Sequence, residues 1–289
     1  MDGRVSRRIQ PLGDYRAQLG ETPVWCGLSR SLLWVDILGG KLLRYWPGER
    51  ERTEIRTMPR FTSAVLLTSE PERFLVVSQS GISLYHYAAE RFSALCDWPE
   101  SDAETRPNEA AIAPDGALWF SSMDPAAQNA IGSWYRLAGG QTRPQKLLGN
   151  QWVPNTLQWW GQHVWFADSL RHRMYCASLV NECLDIAHAF DVEGIPDGST
   201  LTQDGILINA RWGDARLACC QLGDGSFRET GSVMLPVQQP SSCTFGGDTL
   251  SDLYVTSARD GLTTPSPVDG ALLRITTQLT GAPARRFRL

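Results

Sequence analysis

The chain has 289 residues, 42% of them hydrophobic and 20% charged, with a formal net charge of -4; it can bury roughly three quarters of its unfolded surface in one or two domains. That charge offers no long-range attraction to nucleic acid or an anionic membrane, and no five or six like charges run together. No apolar run approaches ~20 residues and the start, MDGRVSRRIQPLGDY, lacks a signal-peptide core, so the sequence predicts a cytoplasmic protein; seven scattered cysteines read as reduced thiols rather than a disulfide framework.

Along the chain, short apolar and aromatic segments closed by Gly, Pro, Asp or Ser recur, and no window sustains a 3.6-residue period. The first pair is LLWVDI with KLLRYW, preceded by a short segment that opens at Glu21. Next come RFLVVS with ISLYHY after Ser63, ALWFSS with SWYRLA after Asn108, and HVWFAD with RMYCAS after Asn155. GILINA with RLACCQ follows Asp197, and DLYVTS with ALLRIT follows Ser242. The six openers are separated by 42, 45, 47, 42 and 45 residues, the period of four-stranded propeller blades. The Gly-His and Trp-Asp marks of WD40 repeats do not recur with them. The predicted fold is all-β, one six-bladed β-propeller domain over residues 1–289.

Phase within the repeat separates two identical tripeptides. Pro114-Asp115-Gly116 falls between the first and second strands of its unit and reads as a turn, with proline presetting φ and glycine accepting φ > 0. In Pro196-Asp197-Gly198 the aspartate instead occupies the opener position. Innermost strands line the central channel of a propeller, so openers from different blades converge on one axis. Glu21 and Asp197 would meet the amides of Asn108 and Asn155 and the hydroxyls of Ser63 and Ser242. Gathered carboxylates repel, and the remedies are proton uptake or a bound cation. All-oxygen donors suit Ca²⁺, Mg²⁺ or Mn²⁺, with Zn²⁺ less favoured. The two serines read as strand caps. Asp36, Asp124 and Asp168 recur at the ends of second strands and read as structural, and His86, His163, His172 and His188 share no phase. No Gly-x-Ser-x-Gly elbow occurs.

Five segments in blade order resemble the regucalcin and gluconolactonase family, also called senescence marker proteins: LGETPVW with LLWVDI, RPNEAAIAPDGALWFSSMD, VPNTLQW with VWFADS, GIPDGSTL, and PSSCTFGGDTLSDLYVTSAR. The resemblance spans most of the chain. It implies a six-bladed propeller with one divalent cation in its channel, held by Glu21, Asn155 and Asp197, with Ca²⁺ foremost and Mn²⁺, Mg²⁺ or Zn²⁺ as alternatives. It also implies Asp197 as the catalytic base, Arg106, Asn108 and Glu109 as substrate-binding residues, and a sugar lactone as the substrate. Glu109 stands where the family usually has aspartate, Thr22 and Thr156 stand where glycine is common, Ser199 and Thr200 follow the Pro-Asp-Gly, and Ala126 falls where some relatives place a substrate-binding glutamate. The expected activity is metal-dependent hydrolysis of a sugar lactone to the open-chain acid. The alternatives are a calcium-binding or ligand-sensing propeller without turnover, and hydrolysis of phosphotriesters or other esters at the same site. For Arg106 the competing reading is an ion pair with Glu104 or Glu109.

Overall fold

The structure, a computed structural model, describes residues 5–48, 51–100 and 104–289. Its strands form six four-stranded antiparallel sheets. Blade 1 runs Gly20–Cys26, Ser31–Asp36, Lys41–Trp46 and Arg52–Thr57; blade 2 runs Ala64–Leu67, Arg73–Ser78, Gly81–His86 and Arg91–Cys96. Blade 3 is Arg106–Ile112, Leu118–Met123, Gly132–Leu137 and Gln145–Gln151, and blade 4 is Pro154–Trp160, His163–Asp168, Arg173–Val180 and Cys183–Asp191. Blade 5 is Ile195–Leu201, Ile206–Trp212, Arg216–Leu222 and Phe227–Met234. Each innermost strand packs beside the next around a closed ring, so the molecule is a six-bladed β-propeller.

The sixth blade closes the ring with chain from both ends. Pro240–Gly246, Asp252–Ser257 and Leu272–Thr277 supply its three inner strands, and Val5–Leu12 pairs with the last of these as the outer strand. Pro11 faces Leu273 in that ladder, and a residue without an N–H is tolerated because the strand is an edge. Nothing in the sequence marks this segment as a strand, since its polar composition gives no alternating pattern.

The core lies between blades, where second and third strands present nearly continuous apolar faces. Leu32, Leu33, Val35, Leu75, Val76, Phe120, Trp165 and Phe166 are fully enclosed. Two arginines are buried with them and are neutralised locally: Arg44 forms a bidentate pair with Glu72 at 2.6 Å under the rings of Trp46 and Tyr87, and Arg211 pairs with Glu229 at 3.2 Å. The recurrent aspartates are structural, as expected. Asp36 accepts the N–H groups of Gln18 and Leu19, and Asp168 accepts those of Trp152 and Val153. Each thereby fixes the loop that enters its own innermost strand. Among the described residues no helix is long and apolar enough to cross a membrane.

One end of the channel is strapped by residues 280–289. Gln203 donates to Thr280 O, Ala282 to Leu201 O, Phe287 to Leu67 O and Arg288 to Gly116 O, so the segment passes from blade 5 to blades 2 and 3 across the axis. Phe287 of this segment is buried. The opposite end, where the innermost strands begin, stays open.

Candidate active site

The same local device presents the openers of five blades. The ladder between innermost and second strands slips at Glu21/Val24, Pro107/Ala110, Asn155/Gln158, Pro196/Ser199 and Pro240/Ser242. A bulge leaves a residue unpaired and re-aims its neighbours, here toward the axis. The N–H freed by the bulge is taken up by the opener's own carboxylate: Thr22 N donates to Glu21 Oε2 at 3.1 Å, and Gly198 N donates to Asp197 Oδ1 at 3.0 Å. Each acid keeps its second oxygen for the channel.

Thr22 (φ 46°) and Thr156 (φ 49°) lie in the left-handed region, which is costly for a β-branched residue. Their hydroxyls supply the compensation. Thr22 Oγ1 donates to Ser63 O at 2.8 Å, and Thr156 Oγ1 donates to Asp197 O at 2.5 Å while accepting from Asn209 Nδ2 at 2.9 Å. Where the resemblance expects glycine, this chain ties one blade's innermost strand to the next. The Pro-Asp-Gly glycines differ in the same spirit. Gly116 serves a turn at φ 85°, whereas Gly198 packs so closely on blade 6 that a Cβ would collide with Ser242 Oγ and the Ser241 carbonyl.

Glu21, Arg106, Asn108, Asn155 and Asp197 all line one open cavity of about 300 Å³ at the channel mouth. Behind them is a second cavity of about 140 Å³, lined by Thr22, Glu109, Gln158, Ser199 and Ser242 and covered by residues 282–285 of the strap. Glu109 therefore does not share the outer cavity with Arg106 and Asn108, contrary to the expectation that groups it with them. The bulge turns Asn108 outward and leaves Glu109 inward, its Oε1 accepting from Ala110 N at 3.0 Å.

Asn155 is oriented by its neighbours. Ser169 Oγ gives its single proton to Pro196 O at 2.6 Å, so it must accept from Asn155 Nδ2 at 2.9 Å. That fixes the amide nitrogen away from the channel and leaves Oδ1 facing it, 3.3 Å from Asn108 Nδ2. Arg106 Nη1 donates to Pro107 O and Asn108 Oδ1 at 2.9 and 3.0 Å. Its charge faces Glu21, Asp197 and Asp260, not Glu104 or Glu109.

The electrostatics follow from enclosure. Glu21 touches the cavity but is otherwise surrounded by strands; burial and then repulsion by Glu109 push its carboxyl up to about 8, against the Thr22 N–H and Arg106. Burial, then Glu21 and Glu109, raise Asp197 well above the ordinary carboxylate range. Burial lifts Glu109 to about 7, and burial lowers Arg106 to about 10 despite the facing acids. Such a site gains by taking up a positive charge. Two carboxylate oxygens and the Asn155 amide oxygen form a donor set that a hard divalent cation fits, with the third donor an amide rather than a third acid. Asp260, Ser169 and Trp212 also border this cavity and went unseen in the sequence. Ser169 follows a recurrent Asp with no signal of its own, Asp260 comes from a loop outside the opener phase, and Trp212 closes the second strand of blade 5.

Comparison with known proteins gives the family and the fold. Residues 19–259 match the SMP-30/Gluconolactonase/LRE-like region. The chain is 30% identical to L-arabinolactonase of Azospirillum brasilense over 96% of its own length and 94% of that protein's, and 26% identical to regucalcin of Gallus gallus over 94% and 95%. The crystal structure of regucalcin from Agrobacterium tumefaciens, described as a calcium-binding protein, superposes with a TM-score of 0.87 at 26% identity, covering 96% of this chain and 97% of that one. The chain belongs to the SMP-30/gluconolactonase/LRE-like family.

Proposed function

We propose that the protein hydrolyses the internal ester of a sugar lactone, using one divalent cation held by Glu21, Asn155 and Asp197. The reading is carried by the convergence of two buried, mutually repelling carboxylates and one oriented amide oxygen beside a guanidinium, in a cavity sized for a single sugar ring. Relatives named lactonases support the reaction class. Ca²⁺ is the favoured ion, with Mn²⁺, Mg²⁺ and Zn²⁺ as alternatives.

The cation, when bound, supplies Lewis-acid polarisation of the lactone carbonyl and charge for the oxyanion. The chain supplies the rest. Asp197 spends one lone pair on the Gly198 N–H, leaving about three of its four acceptor sites for ligation and for water. As general base it takes a proton from water as the oxygen bonds to the carbonyl carbon, and it returns that proton to the ring oxygen as the C–O bond breaks. Arg106 and Asn108 bind the outer oxygens of the sugar, the planar guanidinium suiting multidentate contact. Glu109 acts from behind, through the charge it places on Glu21 and Asp197.

A chelator-stripped sample should lose turnover of five- and six-membered sugar lactones and regain it with added Ca²⁺ or Mn²⁺. Full turnover in metal-free protein overturns this mechanism. The second reading, a cation- or ligand-binding propeller without turnover, is favoured by the calcium-binding description of the structural neighbour; it wins if cation binds tightly while no lactone is hydrolysed.

A further inference from the structure

The outer cavity holds a charge balance that hydrolysis itself does not require. Among the described residues Arg106 is the one cationic side chain lining it, and Asp260 lines the same cavity from a different blade, its negative charge acting on that guanidinium. Asp260 follows the second strand of blade 6 and is held on three sides: its Oδ1 accepts from Gln18 Nε2 at 3.0 Å, its N–H donates to Gln18 O at 3.0 Å, and its carbonyl accepts from Gln239 Nε2 at 2.8 Å. A divalent cation would match Glu21 and Asp197, which leaves Arg106 and Asp260 to balance each other. No positive charge then remains for the substrate. Much of the remaining wall is apolar, with Met123, Val153, Leu170 and Ile195 among its residues.

A sugar hydroxyl in this cavity can accept from Arg106 and donate to Asp260, both of which line it. An anionic substituent is acceptor-only and offers Asp260 nothing but repulsion. Resting on the lactonase reading, we propose that this site selects uncharged lactones and that Asp260 is the specificity-determining residue that rejects lactones carrying a carboxylate, phosphate or sulfonate on the exocyclic carbon. Discrimination of this kind comes from a built-in repulsive element rather than from an added contact.

The test compares kcat/KM for galactono-1,4-lactone and galactaro-1,4-lactone, which share a ring and differ in the exocyclic charge, on the Ca²⁺-loaded wild type, Asp260→Asn and Asp260→Lys. The wild type should prefer the neutral lactone by about tenfold or more, as like-charge juxtaposition predicts. Asp260→Asn should raise the anionic-to-neutral ratio about tenfold by the same term, and Asp260→Lys further. In the wild type, added salt should lower KM for the anionic lactone more than for the neutral one, because screening weakens the repulsion; this readout decides the matter if the variants do not fold. A wild-type ratio near one, a ratio unmoved in folded variants, or a salt response equal for both lactones overturns the role of Asp260 while leaving the lactonase reading intact. Absence of turnover on neutral lactones removes the lactonase reading and this proposal together.

Discussion

At the scale of single residues the site depends on which way one amide points and on where two protons sit. Ser169→Ala would remove the acceptor that fixes Asn155 Nδ2, so the amide could turn its nitrogen toward the axis. Cation affinity should fall by about tenfold to a hundredfold, as for other groups that orient a ligand, with titration calorimetry as the measurement. Protons give the second expectation. Glu21 is raised to about 8 and Asp197 is raised too, by burial first and neighbouring acids second. In the metal-free protein the native state thus holds protons that the unfolded chain releases above its ordinary carboxylate range near 4. Stability should therefore be fully present below that range and decline as pH rises toward about 8. Cation binding should release protons across the same window, so apparent affinity rises with pH. Chemical denaturation at several pH values and calorimetry in buffers of different ionisation enthalpy check both signs.

At the scale of strands and turns, one tripeptide does two jobs because it falls at two phases of the blade. Asp115 sits in the turn after the innermost strand of blade 3, where it accepts the Ala117 N–H at 3.0 Å and pairs with Arg136 at 2.7 Å near the surface. Asp115→Ala should cost about 1 kcal/mol of stability and leave kcat in place. Asp197→Ala should remove most of kcat while the metal-free protein unfolds no earlier than wild type, because a desolvated buried carboxyl has gone. Equal kinetic effects of the two substitutions would refute the phase argument. The bulges make phase matter: without the slip at Pro196/Ser199, strand alternation alone would not free the Gly198 N–H for Asp197.

For the whole molecule, the ring is closed by a strand from the far end of the chain. Ile9, half-buried, and Leu12, buried, reach the sixth blade's inner layers, and together they contribute roughly 2–4 kcal/mol. A variant lacking residues 1–12 should melt lower by roughly 10 °C, and its cation affinity should fall, since Glu21 in blade 1 and Asp197 in blade 5 stand on either side of the loosened blade. Scanning calorimetry with and without Ca²⁺ measures both; an unchanged melting temperature would mean that blade 6 stands without its outer strand. The strap of residues 280–289 works at the other end, closing the channel behind Glu109.

Six openers at a period of about 45 residues were enough to specify the blade count and the innermost strands, because turn residues and strand-length apolar runs are local signals. The same period singled out Glu21, Asn108, Asn155 and Asp197 as residues that would meet on one axis, and the structure brings those four to one cavity. What no local pattern carried was the partition of that axis into two cavities. Glu109 and Asn108 are neighbours in sequence, yet a bulge sends them to different sides of the site. Nor could the sequence give Ser169 its hold on Asn155, Asp260 its place opposite Arg106, or residues 5–12 their place in blade 6. The first joins residues only 14 apart, but through a hydroxyl that no repeat marks; the others join segments distant in sequence, such as Gln18 with Asp260 and Val5 with Thr277, which meet only once closure of the ring brings the two ends of the chain together.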